Sequence, residues 1–208
     1  MPDLDEAIDA AAAAIRAGET VVYPTETVYG LGADATDADA VERVFELKGR
    51  PREKPLSVGV PDVTTAREYV RLTDLEARFA ARFLPGPVTV VVERGPELPD
   101  VLTAGRDRVG LRVPDYEVTL DFYRRADRPV TATSANRSGA PSVTHPDHLD
   151  ATLRAAVGAV LDAGEAPGSV ESTVVDPERN VIHRRGAMAD AIESWLTDRV
   201  GAAPTVED

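Results

Sequence analysis

The run Lys48-Gly49-Arg50-Pro51-Arg52-Glu53-Lys54-Pro55-Leu56 holds both lysines of the chain, although Lys+Arg together number 23. Four cations alternate along it between Gly49 and two prolines, which makes a stiff cationic loop. Such a loop suits a polyphosphate, because lysine offers a compact point charge and arginine forks across two oxygens. Charge runs are usually solvated turns. The confinement of lysine to this one place favours the phosphate reading.

Three further stretches carry chemistry. Pro24-Thr25-Glu26-Thr27-Val28-Tyr29-Gly30 presents hydroxyls at the end of a strand, where α/β sheets place ligands; it reads equally as a turn into a second strand. Arg112 stands inside the apolar run Val109-Gly110-Leu111-Arg112-Val113, so it must be paired or line a cavity, an unpaired buried charge being very costly. Thr133-Ser134-Ala135-Asn136-Arg137-Ser138-Gly139-Ala140-Pro141-Ser142 is dense in hydroxyls and amides. That suits a solvated turn or a nucleotide pocket.

Other chemistries lack their signatures. Neither G-x-S-x-G nor G-x-x-x-x-G-K-[ST] occurs, and Ser134 has no base partner in sequence. Cysteine is absent, which removes disulfides and thiolate chemistry. His145 and His148, with Pro146 between them, suit a helix start better than a zinc site.

The elements that must position these residues follow from periodicity. Helices are predicted over residues 3–17, 37–47, 63–71, 73–84, 116–125, 146–157 and 188–200, the fourth opened by a Thr73–Glu76 capping box. Asp3 is expected to cap the first and Gly18 to end it. Strands are predicted over 21–23, 55–60, 88–92, 109–114, 129–132, 158–162, 172–176 and 181–184. Residues 93–108 read as an excursion or short hairpin, and His183 as a packed strand residue. Several strands are continuously apolar and interleave with helices, so the fold class is α/β, a twisted mixed β-sheet flanked by helices.

With 208 residues and no linker or repeat, the expectation is one domain over 1–208, with an ordered core of about residues 4–200 and a frayed acidic tail. The formal net charge is −13, a field that keeps a protein soluble in high salt and argues against non-specific nucleic-acid binding. The acidic start and the lack of a long apolar run point to a cytoplasmic protein.

In order along the chain, the motifs resemble the YrdC/TsaC family of threonylcarbamoyl-AMP synthases. They are Pro24 to Gly32 (PTETVYGLG), Lys48-Gly49-Arg50-Pro51 with Lys54-Pro55-Leu56, Pro85-Gly86-Pro87-Val88-Thr89, Gly110-Leu111-Arg112-Val113-Pro114, Ser134-Ala135-Asn136-Arg137-Ser138-Gly139, Ser172-Thr173-Val174-Val175-Asp176 and Arg184-Arg185-Gly186. The resemblance implies a short form without an extra C-terminal domain, and a fold related to that of dihydroxybutanone phosphate synthase, with a large concave cavity. It implies formation of threonylcarbamoyl-adenylate from ATP, L-threonine and bicarbonate or CO2, releasing pyrophosphate, as the first step of a tRNA modification. Mg2+ would arrive with ATP, with no metal cage and no prosthetic group. Downstream threonylcarbamoyl-transfer proteins would be the partners, with room for weak tRNA contact. Two alternatives are a carbamoyl-adenylate-forming relative and a non-catalytic RNA- or ribosome-binding module.

By the same resemblance Lys48 and Arg50 would be the catalytic phosphate grip, with Lys54 nearby. Thr27 and Arg112 would take the threonine, with one hydroxyl of the Ser172–Thr173 corner. Ser134, Asn136 and Ser142 would contact the nucleotide, and one arginine of the Arg184–Arg185 turn would approach ATP. The chain departs from the family at Arg108, where relatives carry a threonine near ATP, and at Gly59, where some carry a histidine near the amino acid. Arg185 replaces the proline of a commoner Arg-Pro-Gly.

Overall fold

Asp37 and Gly49 set the bounds of the helix that delivers the cationic loop. The Asp37 carboxylate accepts the Asp39 and Ala40 amides at 2.9 and 3.2 Å, and Gly49 ends the helix at φ 58°, a left-handed position that glycine takes without strain. The computed structural model describes residues 3–168 and 170–207. Its helices are α1 (Leu4–Arg16), α2 (Ala38–Lys48), α3 (Val63–Ala66), α4 (Asp74–Phe83), α5 (Asp100–Thr103), α6 (Glu117–Ala126), α7 (Ala151–Ala156) and α8 (Ala189–Val200).

The strands are β1 (Val21–Tyr23), β2 (Gly30–Gly32), β3 (Ser57–Gly59), β4 (Val70–Arg71), β5 (Val88–Arg94), β6 (Arg108–Arg112), β7 (Val130–Ser134), β8 (Ala159–Val160), β9 (Thr173–Asp176), β10 (Val181–Arg184) and β11 (Thr205–Val206). Among the described residues they join one sheet in the order β11-β10-β9-β5-β6-β3-β7-β2-β1-β8, with β4 added on β5. The sheet is mixed: β3 runs parallel to β6 and antiparallel to β7. One edge of β5 is shared, with β9 parallel along Val88–Val90 and β4 antiparallel at Glu93 and Arg94. This mixed α/β architecture is the one expected from the sequence.

Two apolar clusters hold the layers. The larger includes Val44 and Phe45 of α2, Phe79 of α4 and Leu196 of α8 against the sheet, with Trp195 edge-on to Phe79 at 5.3 Å. The smaller joins Ile8 and Ile15 of α1 to Phe122 and Tyr123 of α6 over Val21 and Tyr23. Burying such side chains is worth about 1.5–3 kcal/mol each.

Several elements differ from the sequence-based expectation. The predicted helix over 63–71 stops at Ala66, and Val70–Arg71 pairs with the β5 edge instead; its Val63-Thr64-Thr65 start is β-branched and a poor helix former. Residues 146–157 split, because Leu149 is extended and Asp150 restarts the helix by accepting the Leu153 amide at 3.0 Å. His145 caps the preceding 3-10 turn, its Nδ1 accepting the Asp147 amide at 3.2 Å. The Asp3 side chain makes no capping bond at α1. The excursion over 93–108 carries α5. The tail read as frayed contains β11, parallel to β10; Asp208 lies outside the described residues.

Candidate active site

A cavity of about 770 Å3 opens over the middle of the sheet, lined from the β1–β2 connection, the loop after α2, β6, β7 and the β9–β10 hairpin. Seven of its described lining residues are cations and four are carboxylates. A surplus of three positive charges thus faces one hollow of a chain whose net charge is −13.

At one end Arg112, at the close of β6, donates to Glu26 Oε1 at 2.8 Å and to Ser172 Oγ at 3.2 Å. That pairing is the physical reason an arginine survives in an apolar strand. Two N–H groups are used in this way and a guanidinium has five, so donors remain for a carboxylate. Ser172 Oγ also lies 3.1 Å from Thr89 Oγ1 and accepts from Arg184 at 3.1 Å. Thr27 is placed by its neighbour. Thr25 Oγ1 donates to the Val28 carbonyl at 2.7 Å and accepts the Thr27 and Val28 amides at 3.2 Å, closing a hydroxyl-stapled turn. Thr27 Oγ1, 3.0 Å from Thr25 Oγ1, therefore donates there and keeps its lone pairs for other donors.

Arg184 shares Ser172 Oγ with Arg112 and links that end to Arg50 and Lys54. Arg50 folds its loop on itself, donating to the Lys54 and Pro55 carbonyls at 2.9 Å each. Burial pushes the Arg50 pKa down, and the nearby Arg184 charge adds to that. Burial likewise lowers Arg184; Glu171, 2.8 Å away, opposes the shift and Arg112 reinforces it. These cations are crowded and partly stripped of water, an arrangement that an arriving polyanion relieves. Arg106, Arg108 and Arg179 add to the positive lining. Arg108 is the best anchored, donating to Glu76 Oε1 at 2.7 Å and Asp176 Oδ1 at 2.9 Å, both carboxylates fully buried.

The sequence-predicted residues divide. Thr27, Arg50, Lys54, Arg112, Ser134, Ser172 and Arg184 line the cavity together. Lys48, expected on the phosphates, stands apart from these residues: it is the last residue of α2, 2% exposed, and outside the lining. Its ammonium donates to the Ser134 carbonyl, to the Asn136 carbonyl at 2.7 Å and to Asn136 Oδ1 at 3.3 Å. An ammonium has three protons, so none is left for a phosphate in this arrangement. Asn136 is similarly engaged, with its Nδ2 on the Arg137 and Ala140 carbonyls.

Thr173 is fully buried, donating to the Ala187 carbonyl at 2.6 Å and accepting the Gly186 amide at 3.1 Å; of the Ser172–Thr173 corner it is Ser172 that lines the cavity. Arg185 pairs on the surface with Asp190 at 2.5 Å and Glu193 at 2.7 Å, which leaves Arg184 as the inward arginine of that turn. Ser142 is half-buried, 3.2 Å from Glu171, and outside the lining. His183 is not packed away as expected; it lines the cavity with Nδ1 2.5 Å from Glu207 Oε2.

Sequence reasoning assigned no role to Glu26, Arg106, Tyr123 or Arg179. Glu26 lies inside a motif already singled out, and its signal was a carboxylate with an arginine elsewhere in need of a partner. Tyr123 gave none, being one aromatic on the apolar face of α6.

A profile of the Sua5/YciO/YrdC family, described as telomere recombination, matches residues 13–186. The chain belongs to this family. Threonylcarbamoyl-AMP synthase of Pyrococcus abyssi is 42% identical over 167 residues, which cover 80% of this chain and 49% of that protein. The human threonylcarbamoyl-AMP synthase is 34% identical over 209 residues, covering 96% of this chain and 74% of its own. The structure of P. abyssi Sua5 complexed with L-threonine superposes with a TM-score of 0.86 at 37% identity, over 96% of this chain and 58% of that one. This chain thus spans about half the length of its Pyrococcus relative. Among the described residues no helix is long and apolar enough to cross a membrane, and no group of three His, Asp or Glu side chains is placed to hold a metal ion.

Proposed function

We propose that this Sua5/YciO/YrdC chain makes L-threonylcarbamoyladenylate from L-threonine, bicarbonate or CO2, and ATP, releasing pyrophosphate in the cytoplasm. The observation that carries the reading is the cationic run along one cavity in a strongly acidic protein: Arg112 with Ser172 and Thr27 for an amino acid, Arg184 sharing Ser172 Oγ with Arg112, and Arg50 and Lys54 leading on to a polyanion end. A P. abyssi member of the family was crystallised with L-threonine, which supports an amino-acid ligand; the free donors of Arg112 suit its carboxylate.

The chemistry needs no side-chain nucleophile. Threonine's neutral amine adds to CO2 and gives up an N–H proton to solvent, a carbamate oxygen attacks the α-phosphorus, and the bond to the β-phosphate oxygen breaks with pyrophosphate leaving. Arg50, Lys54 and Arg184 would neutralise the departing charge, and Arg112 would fix the amino acid by its carboxylate, so that catalysis is positioning plus electrostatics. Ser134 would sit against the nucleotide, on a loop fixed from behind by Lys48. Magnesium belongs to the substrate Mg·ATP, held by phosphates and water. The product would pass to proteins that transfer the threonylcarbamoyl group to tRNA.

The test follows pyrophosphate release from ATP with threonine and bicarbonate each omitted in turn. Release that requires both is expected. Release that ignores threonine would point to a carbamoyl-adenylate instead, and RNA binding without any such release to a non-catalytic module.

A further inference from the structure

Beside Arg112 two phenols meet in the cavity lining, and three glycines make room for them. A Cβ on Gly59 would stand 2.2 Å from Tyr123 Oη, one on Gly30 2.9 Å from Tyr23 Cζ, and one on Gly32 2.8 Å from Tyr23 Cε1. Tyr23 comes from β1 and Tyr123 from α6, their rings edge to face at 5.6 Å, and both line the cavity.

The direction of their hydrogen bonds is fixed. Tyr23 O–H lies 3.2 Å from the Thr131 carbonyl, which can only accept, so the single proton of Tyr23 is committed. Tyr123 O–H therefore donates to Tyr23 Oη at 2.9 Å. Both protons are thus committed within the protein. Tyr123 Oη retains acceptor capacity, and no described residue donates to it. Burial pushes the Tyr23 pKa up to about 12 and that of Tyr123 well above its ordinary value, with Arg112 close enough to lower both and Glu26 to raise both. The relay thus stays protonated and one-directional in neutral solution, next to the guanidinium that would anchor a carboxylate.

Resting on the placement of an amino acid at Arg112, we propose that Tyr123 Oη is a specificity-determining acceptor for the side-chain hydroxyl of a β-hydroxy amino acid. Valine, the isostere of threonine with a methyl in place of the hydroxyl, offers no proton and would leave a buried oxygen unpaired. Sites built to bond a substrate hydroxyl reject the analogue lacking it far more strongly than an apolar pocket rejects a missing methyl, about 10–200-fold for the latter. Tyr123 would therefore separate threonine and serine from valine, and packing alone would separate threonine from serine.

The experiment measures binding of L-threonine, L-serine and L-valine by calorimetry, and pyrophosphate release with each, for the wild-type chain, Tyr123→Phe and Tyr23→Phe. Wild type should prefer threonine over valine by at least about a hundredfold. Tyr123→Phe should cut that ratio at least tenfold through threonine alone, with ATP affinity unchanged. Tyr23→Phe removes the same bond between the phenols but keeps Tyr123 Oη, so it should retain most of the preference. Equal losses in the two variants would mean a structural role and overturn the proposal, as would an unchanged ratio in Tyr123→Phe or a wild type that binds no amino acid. A wild type that binds threonine with this selectivity yet releases no threonine-dependent pyrophosphate would support Tyr123 as the acceptor while removing the synthase reading.

Discussion

The Lys48 ammonium donates to the Asn136 carbonyl at 2.7 Å, so the last turn of α2 and the loop after β7 are tied from behind the cavity. The Ser134 carbonyl shares that ammonium, while Ser134 itself lines the cavity. Replacing Lys48 with Met should free the loop, and threonine-dependent pyrophosphate release should fall more than tenfold (about 1.4 kcal/mol or more), mainly through the KM for ATP. Steady-state kinetics with each substrate varied would show it, and wild-type kinetics would remove the role.

Lys48 also makes a pH prediction. Burial, with the Arg50 charge adding and Glu171 opposing, pushes its pKa down from 10.5 to about 8. Between those values the unfolded chain holds a proton the folded chain has lost, so stability from this group rises with pH. That contribution is complete above 10.5 and lost as pH falls through about 8. Denaturation midpoints at constant salt should climb across this window for wild type relative to Lys48→Met; a flat or falling difference would refute the assignment.

Arg50→Ala removes a charge from the polyanion end and the two carbonyl ties that close its loop. A loss of more than tenfold in adenylate formation is expected, about 1.4 kcal/mol or more. Arg50→Lys should recover only part, because an ammonium cannot reproduce the fork.

Arg112→Ala should raise the threonine KM at least tenfold, about 1.4 kcal/mol, and lower stability as well, because Glu26 loses its ionic partner. Arg112→Ala/Glu26→Gln should restore the thermal midpoint but not the KM, which separates the two roles.

Arg108→Ala would strand Glu76 and Asp176, whose side chains are fully buried. Breaking such a buried pairing costs about 3–5 kcal/mol, so the urea midpoint should fall steeply. A shift within experimental error would refute this role of Arg108.

Much of the architecture was legible from periodicity: β1 begins and ends at the residues expected, and α4 carries its capping box with both bonds made. Arg112 could be located because a cation in an apolar strand demands a partner. What escaped were arrangements set by tertiary contact. Val70–Arg71 was drawn into the sheet by an open stretch of β5 edge, and Thr205–Val206 by β10, neither of which local propensity reports. Lys48 could be found as unusual and was expected on the phosphates, but nothing in its spacing says which way a terminal helical side chain turns. The phenol relay was invisible, because only the fold brings Gly59 against Tyr123.

The burial of Lys48 has a practical corollary. Only one other lysine exists, Lys54, and it is exposed at the mouth of the cavity. Apart from the chain's own α-amino group, an acylating reagent therefore meets a single free amine. A fluorophore attached there would sit beside the entrance, and the speed of its attachment would itself report whether the entrance is filled.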